Sequence, residues 1–171
     1  MSLKITNMRA RAVATPIKRP PRPATGAMDQ AALVLIDLET DAGITGRTYL
    51  FAFSPAMLKS TVECVNAVSA LIIGDEVAPL ALDAKLRRTF TVYDTHGILG
   101  QALAGVDMAA WDALTQSQGV PLARALGGTT EPVRAYNSNG LWTNETPDRL
   151  PAASCLHRLI PQPDSPCFAR S

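Results

Sequence analysis

Histidine, cysteine and net charge are all scarce in this sequence, and each scarcity removes a class of function. The 171 residues hold two histidines, His96 and His157, and they stand far apart in the chain. The three cysteines, Cys64, Cys155 and Cys167, show no metal-ligand spacing. An odd count also suits a reducing compartment better than a disulfide scaffold. A formal net charge of +1 removes the electrostatic case for nucleic acid or an anionic membrane as partner. The longest largely apolar run, Ala67–Ile73, is too short to span a bilayer. The N-terminus MSLKITNMRARAV lacks an apolar signal-peptide core, so a soluble, cytoplasmic protein is expected. Without a secretion signal, the sequon Asn144-Glu145-Thr146 reads as coincidence. No glycine-rich phosphate loop is present, because Gly127-Gly128 follows a short helical segment rather than opening one.

What remains is ample apolar material: 47% hydrophobic against 18% charged residues, enough for one full domain and the start of a second. Lys4–Ile17 has partial strand character, closed by Pro16. The run KRPPRPATGAMDQ that follows cannot pair inside a sheet, so it is expected to be a stiff exposed loop. Pro20-Pro21-Arg22-Pro23 contains a PxxP pattern of the polyproline type. The strand-like segments close on either side favour a flap anchored at both ends. Ala31–Thr40 alternates most clearly, with Val34, Ile36 and Leu38 on one face. Asp41-Ala42-Gly43 then turns the chain into Arg47–Phe53, with Gly43 and Gly46 expected to supply positive φ. Three strands joined by short links predict an antiparallel meander, which needs helices on one face for stability.

Those helices follow directly. Ser54-Pro55 is a start signal for a helix carrying Leu58, Val62, Val65, Val68 and Ile72 inward and ending at Gly74. Cys64 lies among those packing residues and reads as a small buried hydrophobe. Pro79 opens a second helix in which Leu80, Leu82, Leu86 and Phe90 are expected to pack. The third and longest, Gly97 to about Ser117, repeats Leu99, Ala102, Leu103, Val106, Ala110, Ala113 and Leu114, with Met108 and Ala109 broadening the stripe. Its small residues, Ala102, Ala104, Gly105, Ala109 and Ala110, permit close backbone approach, and Gly119 suits its C-cap. Pro121–Leu126 reads as a further short helix and Glu131–Asn137 as a short strand. Beyond Leu150 the prolines Pro151, Pro161, Pro163 and Pro166 recur without apolar periodicity, and the tail is expected to be disordered.

No catalytic constellation can be assembled from these residues. Asp107 and Asp112 point about 140° apart on a helix and cannot converge on one substrate atom. Asp107 and Trp111, four residues apart, suit instead a structural hydrogen bond at a helix–helix seam. His96 reads as a solvated loop histidine. Alternation and turn chemistry account for Asp29, Asp37, Glu39 and Asp41 without a metal.

One pattern is specific enough to suggest a family. Ala104–Gly128 (AGVDMAAWDALTQSQGVPLARALGG) resembles the end of the N-terminal domain in the mandelate racemase branch of the enolase superfamily. Ala31–Leu38, Gly43–Gly46, Thr48–Phe53 and RAVATPI near the start resemble the capping-domain strands, and Pro132–Ser138 resembles the first barrel strand. The resemblance runs from about residue 3 to about residue 149. It implies an α+β capping domain over residues 1–130, a three-stranded antiparallel meander followed by a helical bundle. Residues 131–150 would begin a (β/α)8 barrel with its first strand only, and residues 151–171 would form the tail.

In such enzymes a base removes the proton α to a carboxylate while one or two Mg²⁺ ions stabilise the enediolate. The resemblance places Pro21, Arg22, Met28, Phe51, Phe53 and Ser138 at a small carboxylic-acid substrate, the first five as lid residues and Ser138 on the carboxylate. A barrel needs roughly 200–250 residues, and about forty follow Gly128. The family's catalytic and metal-binding residues have no match here. A truncated member, inactive alone, is therefore expected, with self-association through the surface a barrel would cover. A free-standing binding module, and a cap complementing a separately encoded barrel, are the alternatives.

Overall fold

The computed structural model describes residues 3–18, 20–21, 28–93 and 95–133. The chain divides into two compact units, Met1–Pro16 with Gln30–Glu131, and Ile17–Asp29 with Pro132–Ser171. In the first unit, β1 (Ile5–Pro16), β2 (Gln30–Thr40) and β3 (Thr45–Phe51) form an antiparallel sheet in the order β1-β2-β3. Alternation decides which way β2 faces: Ala32, Val34, Ile36, Leu38 and Thr40 are buried, while Leu33, Leu35, Asp37 and Glu39 are half-buried on the opposite face. That opposite face carries exposed ion pairs, Arg9–Glu39 at 2.6 Å and Arg11–Asp37 at 3.0 Å. Pairs of this kind add little to stability, because water and salt screen them.

Main-chain direction within the sheet can be read from its edges. Thr40 receives the β3 hairpin, its N–H donating to Ile44 C=O at 3.0 Å, and Ala32 C=O accepts from Ala52 N–H at 2.8 Å. Even-numbered β2 residues therefore address β3, and odd-numbered ones address β1. Gly43 carries the positive φ of the turn, 73°. Gly46 does not, contrary to expectation. Its hydrogen side chain is needed for a different reason: a Cβ there would collide with Ala109 C=O and come within 2.9 Å of the Ala113 N and Cβ atoms.

The helical layer consists of α1 (Leu58–Ser69), α2 (Pro79–Thr89), α3 (Gly97–Gln118) and the single turn α4 (Leu122–Ala125). Ser54 caps a 3-10 turn, Pro55–Met57, by accepting from Ala56 N–H, and α1 starts only after it. At its other end α1 stops at Ser69, short of Gly74. Leu71 and Ile72 donate to Val68 and Ser69, three residues back, tightening the chain before Gly74 reverses it at φ 88°. Ile72 still reaches the core.

α3 lies on the sheet through its small residues, with Ala102, Ala109, Ala110 and Ala113 fully buried. At Gly105 an added Cβ would sit 2.6 Å from Ile36 Cδ1, so the isoleucine occupies the notch the glycine leaves. Two expected packing residues are not in the core. Leu80 is 76% exposed and Met108 40% exposed. Leu80 sits two residues from Leu82, and Met108 two from both Val106 and Ala110, about 200° round the helix from those inward positions. Ala104 is exposed for the same reason. Gly119 ends α3 in the left-handed conformation at φ 65°, as its sequence context indicates. Glu131–Val133 are not in a strand, and the rest of the expected strand lies outside the described residues, as does the tail.

α3 also reaches the outer edge of β3. Asp112 Oδ2 accepts from Arg47 N–H at 2.7 Å, and Gln116 Nε2 donates to Thr45 C=O at 3.2 Å. These bonds satisfy two edge groups of the strand and fix helix to sheet across 65 and 71 residues of chain.

Candidate functional site

The sheet ends beside an aromatic pair whose backbone is unusual. β3 stops at Phe51, and the next residue, Ala52, is buried and held by its bond to Ala32. Ser54 N–H then donates to Ala52 C=O at 2.6 Å, closing a three-residue turn centred on Phe53. Phe53 has φ 58°, and among the described residues it is the one non-glycine with positive φ. That conformation costs about 1–2 kcal/mol for an L-residue. Anchors on both sides impose it: the Ala52–Ala32 bond before, and the Ser54 cap after. As a result Phe53 leaves the strand, meets Phe51 edge-on with centroids 4.7 Å apart at 73°, and remains 65% exposed. No sequence signal announced this turn, because strand alternation runs unbroken through RTYLFAF.

In the second unit, Pro21 and Met28 are half-buried, and Met28 N–H donates to Pro21 C=O at 3.0 Å. Ile17 N–H donates to Asp29 C=O at 2.9 Å. These bonds tie together the described residues on either side of 22–27, and the choice between a flap and a polyproline segment falls on residues outside them. Arg22 and Ser138 lie outside the described residues. The lid candidates thus come together as two pairs, Pro21 with Met28 and Phe51 with Phe53.

The acidic residues are engaged structurally. Asp37 faces Arg11 and Arg47, and Asp41 accepts from Lys4 N–H at 2.9 Å. Glu39 is held below its ordinary carboxylate pKa by hydrogen bonds from Arg9 and Asn7. Asp112 serves β3. No three His, Cys, Asp or Glu side chains are grouped to hold a metal ion among the described residues. A magnesium ion, which needs oxygen ligands in octahedral array, therefore does not fit the described part of this chain. Cys64 is half-buried, and burial pushes its thiol pKa up, away from the reactive thiolate.

Asp107 is the exception in its electrostatics. It borders a cleft of about 190 Å³ between α2 and α3, which Asp83 and Arg87 also line. Burial raises its pKa first and the Asp83 charge second, while the Trp111 hydrogen bond and Arg87 oppose the rise. The Asp107–Trp111 bond at a helix seam matches the structural role expected from their spacing. A carboxyl whose folded pKa lies above its unfolded value binds more protons when folded, so stability falls as pH rises through that window. Asp107→Asn should accordingly gain a few tenths of a kcal/mol at neutral pH, the effect being small because the group is only half-buried and solvent still screens it. The gain should vanish near about pH 3, where both states are protonated. Urea midpoints of the two proteins at both pH values decide this, and equal midpoints at neutral pH would refute it.

Comparison with known proteins places this architecture. Residues 5–127 match the family described as "Mandelate racemase / muconate lactonizing enzyme, N-terminal domain". The chain belongs to this family. Its sheet and helices are the capping domain of mandelate racemase-like enzymes. D-galactarolactone cycloisomerase of Agrobacterium fabrum is 29% identical over 150 residues, which is 86% of this chain and 38% of that protein. The crystal structure of a Bradyrhizobium enolase complexed with magnesium and mandelic acid is 42% identical with a TM-score of 0.75, covering 80% of this chain and 38% of that one. L-Talarate dehydratase from Polaromonas sp. JS666, solved with Mg and L-glucarate, is 25% identical with a TM-score of 0.80 over 90% of this chain and 43% of its own. The chain spans about two-fifths of the length of these relatives. Among the described residues of the capping domain, no helix is long and apolar enough to cross a membrane.

Proposed function

We propose that this chain acts as the substrate lid of a mandelate racemase-like enzyme acting on a small carboxylic acid, with the proton chemistry supplied by residues other than those described. The family match over residues 5–127 carries this reading. The aromatic pair supports it: Phe53 is presented to solvent by a strained turn rather than buried, as a residue would be that covers a ligand. Covering a reacting centre with apolar rings excludes water and strengthens electrostatic interactions beneath them. In this role Pro21, Arg22, Met28, Phe51 and Phe53 contact the substrate from above, and Ser138 its carboxylate. None of them needs to titrate.

Magnesium and mandelic acid in the Bradyrhizobium relative, and Mg with L-glucarate in the Polaromonas one, support a carboxylate substrate and a metal-dependent partner domain. The chain alone should show no exchange of the α-proton of mandelate or glucarate in D₂O, with or without Mg²⁺. Residues 5–127 grafted in place of the cap of the Bradyrhizobium relative should support exchange. In that chimera Phe53→Ala should raise KM by roughly tenfold, equivalent to about 1.4 kcal/mol of lost apolar contact. A chimera that folds and binds magnesium but exchanges no proton would overturn the lid reading.

A further inference from the structure

The bend at Phe53 has a second cause, which lies downstream of it. Ala52 cannot bend: it is buried, and its N–H is tied to Ala32 C=O at 2.8 Å. Ser54 cannot bend either, because Pro55 follows it. A proline ring clashes with a helical residue before it and drives that residue to extended backbone. Ser54 sits there, at φ −139° and ψ 137°. The chain must nevertheless pass from β3 into the helical turn Pro55–Met57, where Met57 N–H donates to Ser54 C=O at 3.0 Å. Between two residues that are barred from turning, the reversal falls on Phe53.

Phenylalanine itself does not ask for this conformation, which glycine or asparagine adopts more readily. With a residue other than proline at position 55, the helical turn can start one residue earlier, with Ser54 as its first helical residue. Phe53 would then precede the turn in ordinary extended backbone, at negative φ. Its ring would swing with the backbone, and the edge-on contact with Phe51 would no longer be held. The Ser54 side chain is a weak obstacle to that change, since its bond from Ala56 N–H is 3.3 Å long.

We infer that Pro55 is a positioning residue: by denying Ser54 a helical conformation it locks Phe53 in the left-handed turn and sets the pose of the ring before a ligand arrives. The benefit to the reaction rests on the lid reading; the mechanical coupling of Pro55 to Phe53 does not. A lid residue already in its binding pose avoids the ordering cost that a mobile one incurs on binding. Apparent affinity falls in proportion to the fraction of molecules that hold the competent pose. Releasing Phe53 therefore weakens binding by the factor by which its pose is depopulated.

Nuclear magnetic resonance of the 171-residue chain reads the coupling directly. The strong amide-to-Hα cross-peak of positive φ should mark Phe53 in the unmodified chain, and in Pro55→Ala roughly two-thirds of molecules or more should lose it. Stability gives a second reading. With Pro55 in place, Phe53→Gly should be more stable than Phe53→Ala by about fivefold in the unfolding constant; with Pro55→Ala added, that order should reverse. In the chimera described above, Pro55→Ala should raise KM about threefold, by the same population factor, with a smaller change in kcat. Positive φ retained at Phe53 in a folded Pro55→Ala chain, or alanine as stable as glycine at position 53 beside Pro55, would overturn the inference. If Phe53→Ala moves KM and Pro55→Ala does not, the positioning role falls and the lid reading stands. If neither moves KM, both fall.

Discussion

Gly46→Ala should lose on the order of 3–5 kcal/mol, enough to unfold a domain of ordinary stability. The figure exceeds the usual 1–3 kcal/mol of overpacking because the clash is with backbone, not with a movable side chain. The new methyl would fall on Ala109 C=O and within 2.9 Å of the Ala113 nitrogen. Relieving it means lifting α3 off β3, which would also stretch the Asp112 bond to Arg47 N–H and the Gln116 bond to Thr45 C=O. Gly105→Ala is the control. Its methyl meets Ile36 Cδ1 at 2.6 Å and Leu50 Cδ1 at 3.3 Å, both ends of side chains that can turn aside, so a loss below about 2 kcal/mol is expected. Equal urea midpoints for the two variants would show that α3 does not rest on the Gly46 backbone.

Ile36→Ala should cost about 3–4 kcal/mol. Ile36 is 1% exposed at the centre of β2, and the usual range for such a truncation is about 2–5 kcal/mol. The δ-carbon lost is the one lodged in the Gly105 notch, so Ile36→Ala leaves space where Gly105→Ala adds a methyl. The double variant should therefore be more stable than the sum of the single effects predicts, by at least about 0.5 kcal/mol. Strict additivity, measured at unchanged denaturant slope, would show that these two residues do not share one packing contact.

Local physics made much of the fold readable in advance. β2 alternates because one face is buried along its full length, Gly43 and Gly119 are needed for positive φ, and Pro79 starts α2 where its missing N–H costs nothing. What was not readable depends on partners distant in sequence. Gly46 looked like a turn residue until α3 was placed over it. Asp112 had no partner in the sequence, and its oxygen meets a strand amide 65 residues away. Leu80 and Met108 were misassigned because hydrophobic residues broaden a helical stripe on paper at no cost, whereas only one sector of each helix meets its neighbours. The proposed lid residues were suggested by family resemblance alone. The turn that presents Phe53 was hidden because its cause, the tie between Ala52 and Ala32, spans two strands.

The clamp that α3 places on β3 also governs what the outer edge of that strand can pair with. An open strand edge is a template on which further copies can add. Asp112 and Gln116 occupy the β3 edge at Thr45 and Arg47, and the turn at Phe53 bends the chain away just past Phe51. What stays open on that side is too short to template another strand. The two bonds that fasten a helix to a strand thus also close that part of the edge to an incoming strand.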